Sequence, residues 1–333
     1  MKKILSLMVA LIVATLSYAQ SGLLATLSHN GEITTYYGAS AFREAYDAAT
    51  DGDVVTLSSG AFNAVNLEKA ITIRGAGMGF NVETQAEPTI LLGDFDINIP
   101  ETAESRLTIE GIYHNEHIKI ACILKNATFL KDRFNRIEYK DYRSNWCENL
   151  TMIHCKIFGA FNPGNDSASA SCMNCYIYEP VSWGGKGTSE FLNCVIDSHS
   201  FYDSNMKSTF KNCVLYLTNS YQTLPRSSVV YNCVGIGASN LFDYISNSTN
   251  SIKTFEEVFK TYTGSANDEE NFELTDEAKT TLLGLDGTQV GIYGGNMPFS
   301  ATTTNPQITR CNVAAKSTAD GKLSVDITVS VPE

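Results

Sequence analysis

Between Ser171 and Gly237 the chain repeats one pattern of apolar and polar positions four times: CMNCYIY, FLNCVID, FKNCVLY and VYNCVGI. One period upstream, MIHCKIF fits the same frame. The cysteines Cys155, Cys175, Cys194, Cys213 and Cys233 recur at a nearly constant interval. A fixed period of about twenty predicts a solenoid with one coil per repeat. Apolar Met152, Cys172, Phe191, Phe210 and Val230 stand two places before each Asn or His154, and Ile157, Ile177, Ile196 and Leu215 stand two after the cysteine. A straight strand would send these two sets to opposite faces. The strand must therefore bend at the Asn, and Asn, Gly and His tolerate the left-handed backbone of such a corner. The same signature predicts corners at Gly75, Gly93, Gly111 and Asn126, ahead of His154, Asn174, Asn193, Asn212 and Asn232. Nine strand pairs at one coil each describe a parallel β-helix, about 38 Å long at ~4.8 Å per coil.

The ends read differently. Phe42, Ala45, Tyr46 and Ala49 recur at helical spacing within Ala39–Thr50, and a strand follows over Val54–Leu57. A helix there would cover the open end of the first coil. Ile252–Lys260 and Thr275–Leu283 read as short helices, the second with Thr275 as its N-cap. After a Thr-rich linker at Ala301–Asn305, Pro306–Glu333 reads as a hairpin turning at Asp320-Gly321, with Leu323, Val325, Ile327, Val329 and Val331 alternating with polar residues. One face of that hairpin is expected to be buried, on the helix, on a second chain or on a domain partner.

Residues 1–19 read as a signal peptide: Lys2 and Lys3, an apolar run from Ile4 to Leu16, and a small-residue end at Ala19. The run is too short for a stable membrane anchor, and no cysteine at the cleavage point offers a lipid anchor. The mature chain is expected to be secreted or periplasmic and not membrane-spanning. Without the leader, 22 basic and 36 acidic residues leave a net charge of −14, which argues against nucleic acid as a partner. The expected organisation is residues 20–300 as the β-helix with its caps, then 301–333 as linker and hairpin.

The run FREAYDAATDGDVVTLSSGAFN, followed by AITIRGAGM, resembles the N-terminal cap and first coils of pectin-lyase-like right-handed β-helix proteins. DGTQVGIYGG, Asp286 to Gly295, resembles the closing segment of many secreted members. The resemblance implies a right-handed coil; with the helices and hairpin read above, the expected fold is an all-β, single-stranded right-handed parallel β-helix with an N-terminal capping helix, short C-terminal helices and a C-terminal β-hairpin. It implies no single activity, because the superfamily includes lyases, hydrolases, esterases and non-catalytic surface proteins.

Two stretches carry candidate chemistry. The step from Asn126 to His154 is longer than its neighbours, so an extra loop is expected to leave the barrel. It holds Lys131, Arg133, Arg136, Lys140 and Arg143, interleaved with Tyr139, Tyr142 and Trp146. Such a loop is either an anion site on a rigid scaffold or a solvated surface with internal ion pairs. The second stretch is a strip of outward positions after the corners, including Tyr176, Tyr178 and Tyr216. Their rings could stack on sugars, unless a later segment covers them.

The ladder cysteines read as buried small hydrophobes, while Cys122, Cys147, Cys172 and Cys311 could pair in an exported protein. The adjacent aspartates, Gly-His-Gly and Arg-x-Lys that a polygalacturonase-like relative would carry do not occur. No metal set stands out. Calcium would enter only for a lyase, where Asp94 and Asp96 supply two acids on one coil. Two functions remain. One is a non-catalytic β-helix that binds polysaccharide or cell-envelope glycan or serves an adhesin-like role, with self-association through the hairpin as one option. The other is a polysaccharide lyase on uronic-acid polymers, drawing on Arg133, Arg136, Lys140, Arg143, Tyr139 and Tyr142.

Overall fold

The computed structural model describes residues 22–330 apart from 83–85, 105, 142, 160, 162–166, 179–186, 199–206, 219–222, 225, 246–248, 265–269, 314–320 and 323–324. The expected leader, residues 1–19, lies outside the described residues. Two long sheets and one short one wrap a parallel β-helix of about eight turns. Sheet A is eleven-stranded and begins with an antiparallel hairpin, β1 (Leu24–His29) and β2 (Glu32–Tyr37), with β1 bonded on its other side to β3 (Val54–Leu57). Eight parallel strands follow, from Thr72–Arg74 to Val229–Tyr231. Sheet B runs alongside from Gly60–Asn63 to Ser251–Lys253. Helix α1 (Ala41–Ala48) buries Ala41, Phe42, Ala45 and Tyr46 and closes the N-terminal end, as the helical spacing predicts.

Each sheet A strand ends at the corner into sheet B, and its inward residue (Ile73, Ile109, Phe129, Met152, Cys172, Phe191, Phe210 or Val230) is fully buried. Left-handed φ values of 48–57° occur at Lys131, His154, Asn174, Asn193, Asn212 and Asn232, and Gly111 has φ 69°. Gly75 is required for space instead, because a Cβ there would strike the Gly111 carbonyl.

Two expected corners belong elsewhere. Gly93 follows a sheet B strand, Thr89–Leu92. Asn126 follows Ile123–Lys125, which pairs with Trp146–Glu148 in a separate two-stranded sheet, and Asn149 ends that second strand. These two coils thus bend twice, and the apolar-variable-Asn signature marks both bends. The sheet A corner in this coil is Lys131, so the coil runs from Lys131 to His154 and is close to its neighbours in length. Residues 133–139 are a sheet B strand in register with Ile112–Ile120, not an extra loop.

After a corner the next backbone N–H points into the interior, where no sheet partner reaches it. The ladder side chain of the following coil accepts it. Cys155 N donates to Cys175 Sγ at 3.4 Å, Cys194 N to Cys213 Sγ at 3.5 Å, and Cys213 N to Cys233 Sγ at 3.4 Å. Oxygen takes the sulfur's place at both ends of the ladder: Ile112 N donates to Asp132 Oδ1, and Cys233 N to Asn250 Oδ1. The cysteines are therefore polar partners as well as packing. The eight cysteines whose side chains are described, including Cys122, Cys147 and Cys172, are free thiols; the side chain of Cys311 lies outside the description. Burial pushes the Cys155, Cys194 and Cys233 thiols well above their ordinary pKa, and burial pushes Asp132 well above the usual carboxylate range, with the neighbouring Glu110 charge adding to it.

The outward corner side chains hold a strap, residues 283–305, that runs back from the last coil to the first. Asn232 Nδ2 donates to Leu283 O at 3.2 Å, and Leu285 N donates to Asn212 Oδ1 at 2.9 Å. Asn174 Nδ2 reaches Ile292 O and Gly294 O, both at 2.8 Å. His154 Nε2 donates to Met297 O at 3.0 Å, and Lys131 Nζ to Thr302 O at 2.5 Å. Thr304 N donates to Glu110 Oε1, and Asn305 Nδ2 to Gly75 O, at 2.8 Å each. Asn193 makes none of these bonds; it abuts Gly295, and its Oδ1 has no partner.

The segment before the strap covers one face of sheet B. Its helices, Phe255–Val258 and Ala278–Thr281, are shorter than expected, and Thr275 Oγ1 accepts from Ala278 N just outside the second. Beyond the strap, Gln307–Val313 pairs antiparallel with Val325–Ser330, a hairpin whose turn lies largely outside the described residues. Within the chain the β-helix does not cover this face: Val325, Ile327 and Val329 are 51–55% exposed.

Three expectations follow. Asn174→Gly keeps the left-handed backbone but removes two buried bonds to the strap, and should cost about 1–3 kcal/mol in a denaturant melt. Asn193→Gly should cost much less, so equal losses would show that the strap bonds are immaterial. Cys213→Ala should destabilise more than Cys213→Ser, because serine keeps an acceptor for the Cys194 amide; the same melts read it.

The third concerns pH. Burial holds the His154 pKa below its ordinary 6.5. The unfolded chain then binds more protons as pH falls through that value, so His154 lowers stability on acidification down to its folded pKa. His154→Asn should show a shallower loss between neutral and mildly acidic pH.

Candidate functional site: two outer sheet faces

The basic stretch is built into sheet B, and the structure spreads its side chains apart. Lys131 is buried at its corner, where burial lowers its pKa and its ammonium holds Thr302. Arg133 lies over the rings of Tyr113 and Phe158, 4.3 and 4.7 Å from their centroids. Arg136 pairs with Glu138 at 2.9 Å, and Lys140 with Asp96 at 2.8 Å. Lys119 pairs with Asp94 at 2.8 Å, and His117 Nδ1 lies 3.2 Å from Glu138. Asp96, Lys119 and Glu138 stand in register across three strands, so charge alternates from coil to coil.

Such exposed pairs add little stability, but they neutralise the cations that an anionic ligand would need. The Asp94 carboxyl is held below its usual range by Lys119, which is itself raised by Asp94.

The remaining members of the set point elsewhere. Tyr139 turns inward, its hydroxyl donating to Cys147 Sγ at 3.5 Å, and burial raises its pKa far above the ordinary value. Cys147 is likewise pushed up to about 12 by burial. Trp146 lies on the small third sheet with Nε1 donating to Glu148 at 3.1 Å. Arg143 sits exposed in the turn before it, its backbone N–H donating to Asp141 Oδ1. Tyr142 lies outside the described residues. The loop and its convergent cation cluster are thus replaced by a ladder of ion pairs.

The tyrosine strip is covered. Tyr176 has no exposure; it stacks on Phe272 with centroids 4.1 Å apart. Tyr262, from the same covering segment, donates its hydroxyl to buried Asp197. Val195, Val214 and Val234 pack with Val258, Phe259 and Ile292 in a second core between sheet and cover. Tyr178 and Tyr216 are half-buried at its margin, Tyr216 edge-on to Phe255. The strip contributes to packing, and only its margin meets solvent.

Among the described residues the uncovered surface lies on sheet A, outside the two stretches that carry the candidate chemistry in the sequence. The residue preceding each buried apolar position points outward. Register aligns Thr72, Thr108, Thr128, Thr151, Ser171, Glu190 and Thr209 in one column. Beside it runs a half-buried apolar column, Leu130, Ile153, Met173 and Leu192. Strand spacing sets the hydroxyls about 4.8 Å apart. Over the last coils this face is concave, an open groove of about 740 Å³ lined by Asn149, Thr151, Ser171, Thr188, Glu190, Lys207 and Thr209, among others. Its signal is present in the sequence: Thr opens TIR, TIEG, TFLK, TMIH and TFKN, always one place before the interior residue.

Among the described residues no group of three His, Cys, Asp or Glu side chains is placed to hold a metal ion, and no helix is long and apolar enough to cross a membrane. Comparison with protein-family models, with curated proteins and with solved structures finds no match.

Proposed function

We propose that this is a non-catalytic β-helix protein, exported by its leader, that binds polysaccharide of a cell envelope or matrix along sheet A. The observation that carries this reading is the open groove with its hydroxyl column beside an apolar one. Sugars present hydroxyl edges and apolar ring faces, and hydroxyl side chains both donate and accept. The groove also runs along the solenoid axis, so an extended polymer can meet several coils at once. The pectin-lyase-like resemblance of the sequence agrees with such a ligand.

The charge of the groove selects among polysaccharides. Among the described residues that line it, Glu190 and Lys207 carry charge, one of each sign. A neutral glycan fits this balance better than a uronic-acid polymer. The lyase reading has less support, because Arg136 and Lys140 are engaged with carboxylates and Tyr139 faces inward. A proton-abstracting base must be reachable and not already committed to an ion pair.

Affinity electrophoresis of the mature protein through gels containing neutral or acidic polysaccharides tests the reading. Retardation by a neutral glycan should change little with salt, since screening acts on charge contacts. Replacing Thr151, Ser171 and Thr209 together by Ala should weaken it by about tenfold or more, equivalent to about 1.4 kcal/mol, without shifting the melting temperature greatly. Salt-sensitive binding to an acidic glycan, abolished by Arg133→Ala with Arg136→Ala, would reject this reading in favour of an anion site on sheet B.

A further inference from the structure

Among the described residues the N-terminal edge of sheet A is open. Strand β2, EITTYY, forms it. Five of its six residues are exposed, Ile33 at 72% and Tyr37 at 70%. Proteins usually blunt such an edge with proline, lysine or a bulge, and β2 has none of these. Isoleucine, threonine and tyrosine favour strand pairing, and Glu32 is the one charge on the strand.

The hydrogen-bond phase fixes which backbone groups are unused. Asn30 and Gly31, both at positive φ, turn the chain between His29 and Glu32, the geometry of a two-residue primed turn. Gly38 N donates to Leu23 O at 2.9 Å. Alternate residues bond across an antiparallel pair, so the even-numbered residues of β2 serve β1. Ile33, Thr35 and Tyr37 turn their N–H and C=O groups to the open edge.

We propose that β2 pairs antiparallel with β2 of a second copy of this chain, about a two-fold axis through Thr35. Thr35 then meets Thr35, Thr34 meets Tyr36, and Ile33 meets Tyr37. Every outward backbone group of Ile33, Thr35 and Tyr37 finds a partner. Each exposed Ile33 is covered by Tyr37 of the second copy, an aromatic and β-branched cross-strand pair. Glu32 falls opposite Gly38, which keeps the two carboxylates from facing one another.

Competing registers do worse. A slip of one residue sets opposite faces against each other. A slip that puts Thr34 on the axis leaves Tyr37 beyond the ladder. The contact is isologous and closes as a dimer. Sheet A becomes continuous through both copies, with its outer face on one side, whatever ligand that face takes.

Sedimentation velocity on the mature full-length chain tests this over a wide concentration range. A contact below about 1,200 Å² is expected to be transient, so a monomer–dimer equilibrium should appear. Ile33→Lys, at an exposed position that leaves the fold intact, should weaken it about tenfold or more.

Thr35→Cys reads the register. Residues facing each other in a hydrogen-bonded pair lie about 5.5 Å apart, within disulfide reach of roughly 4.4–6.8 Å. Mild oxidation should therefore link Thr35→Cys into a covalent dimer that neither the unsubstituted chain nor Thr34→Cys forms. A strict monomer would overturn the proposal. So would equal cross-linking by Thr34→Cys, or a dimer indifferent to Ile33→Lys but lost with Ile327→Lys in the C-terminal hairpin.

Discussion

The left-handed corner between sheets A and B is the constraint on which the rest depends. Turning the chain there aims one N–H into a dry interior, where an unpaired amide is costly. The same turn leaves one side chain standing outward. The first consequence selects the interior ladder of Cys175, Cys213 and Cys233, with Asp132 and Asn250 beyond its ends. The second selects the outer column, where Asn174, Asn212, Asn232, His154 and Lys131 grip the strap. One backbone conformation thus specifies residue types on two sides of the wall. Asparagine suits it twice, as a residue that accepts positive φ and as an amide that both donates and accepts.

Much of this was legible because it is periodic. The regular interval from Cys155 to Cys233 identified the coil, and the spacing of Phe42, Ala45 and Tyr46 identified the cap. The errors arose where the period is ambiguous. Asn126 and Asn149 repeat the corner signature because they mark a second bend in the same coils. Lys131 does not announce a corner, because lysine seldom adopts that backbone; here its side chain is buried and its ammonium is used by the strap.

Other features were hidden because they depend on pairing between coils. Lys140 and Asp96 are 44 residues apart, and Lys119 and Asp94 are 25 apart. A linear scan of Lys131 to Arg143 sees an excess of positive charge that the folded sheet cancels. Tyr176 likewise looks exposed until Phe272 and Tyr262, far later in the chain, close over it. The hydroxyl column is hidden for a different reason. A single Thr before an apolar residue is ordinary in a strand, and only stacking turns five of them into a surface.

The strap sets how the molecule carries load. It starts at the last coil, beside Asn232, and ends at the first, where Asn305 meets Gly75. Whatever holds the chain beyond residue 305 therefore grips the solenoid at the end where its parallel coils begin. Tension along the long axis, drawing the C-terminus past that end, would strain all the strap bonds together in shear. Tension directed sideways would open them one at a time, starting with Asn305. The same set of weak bonds is mechanically stiff in one direction and easily peeled in the other.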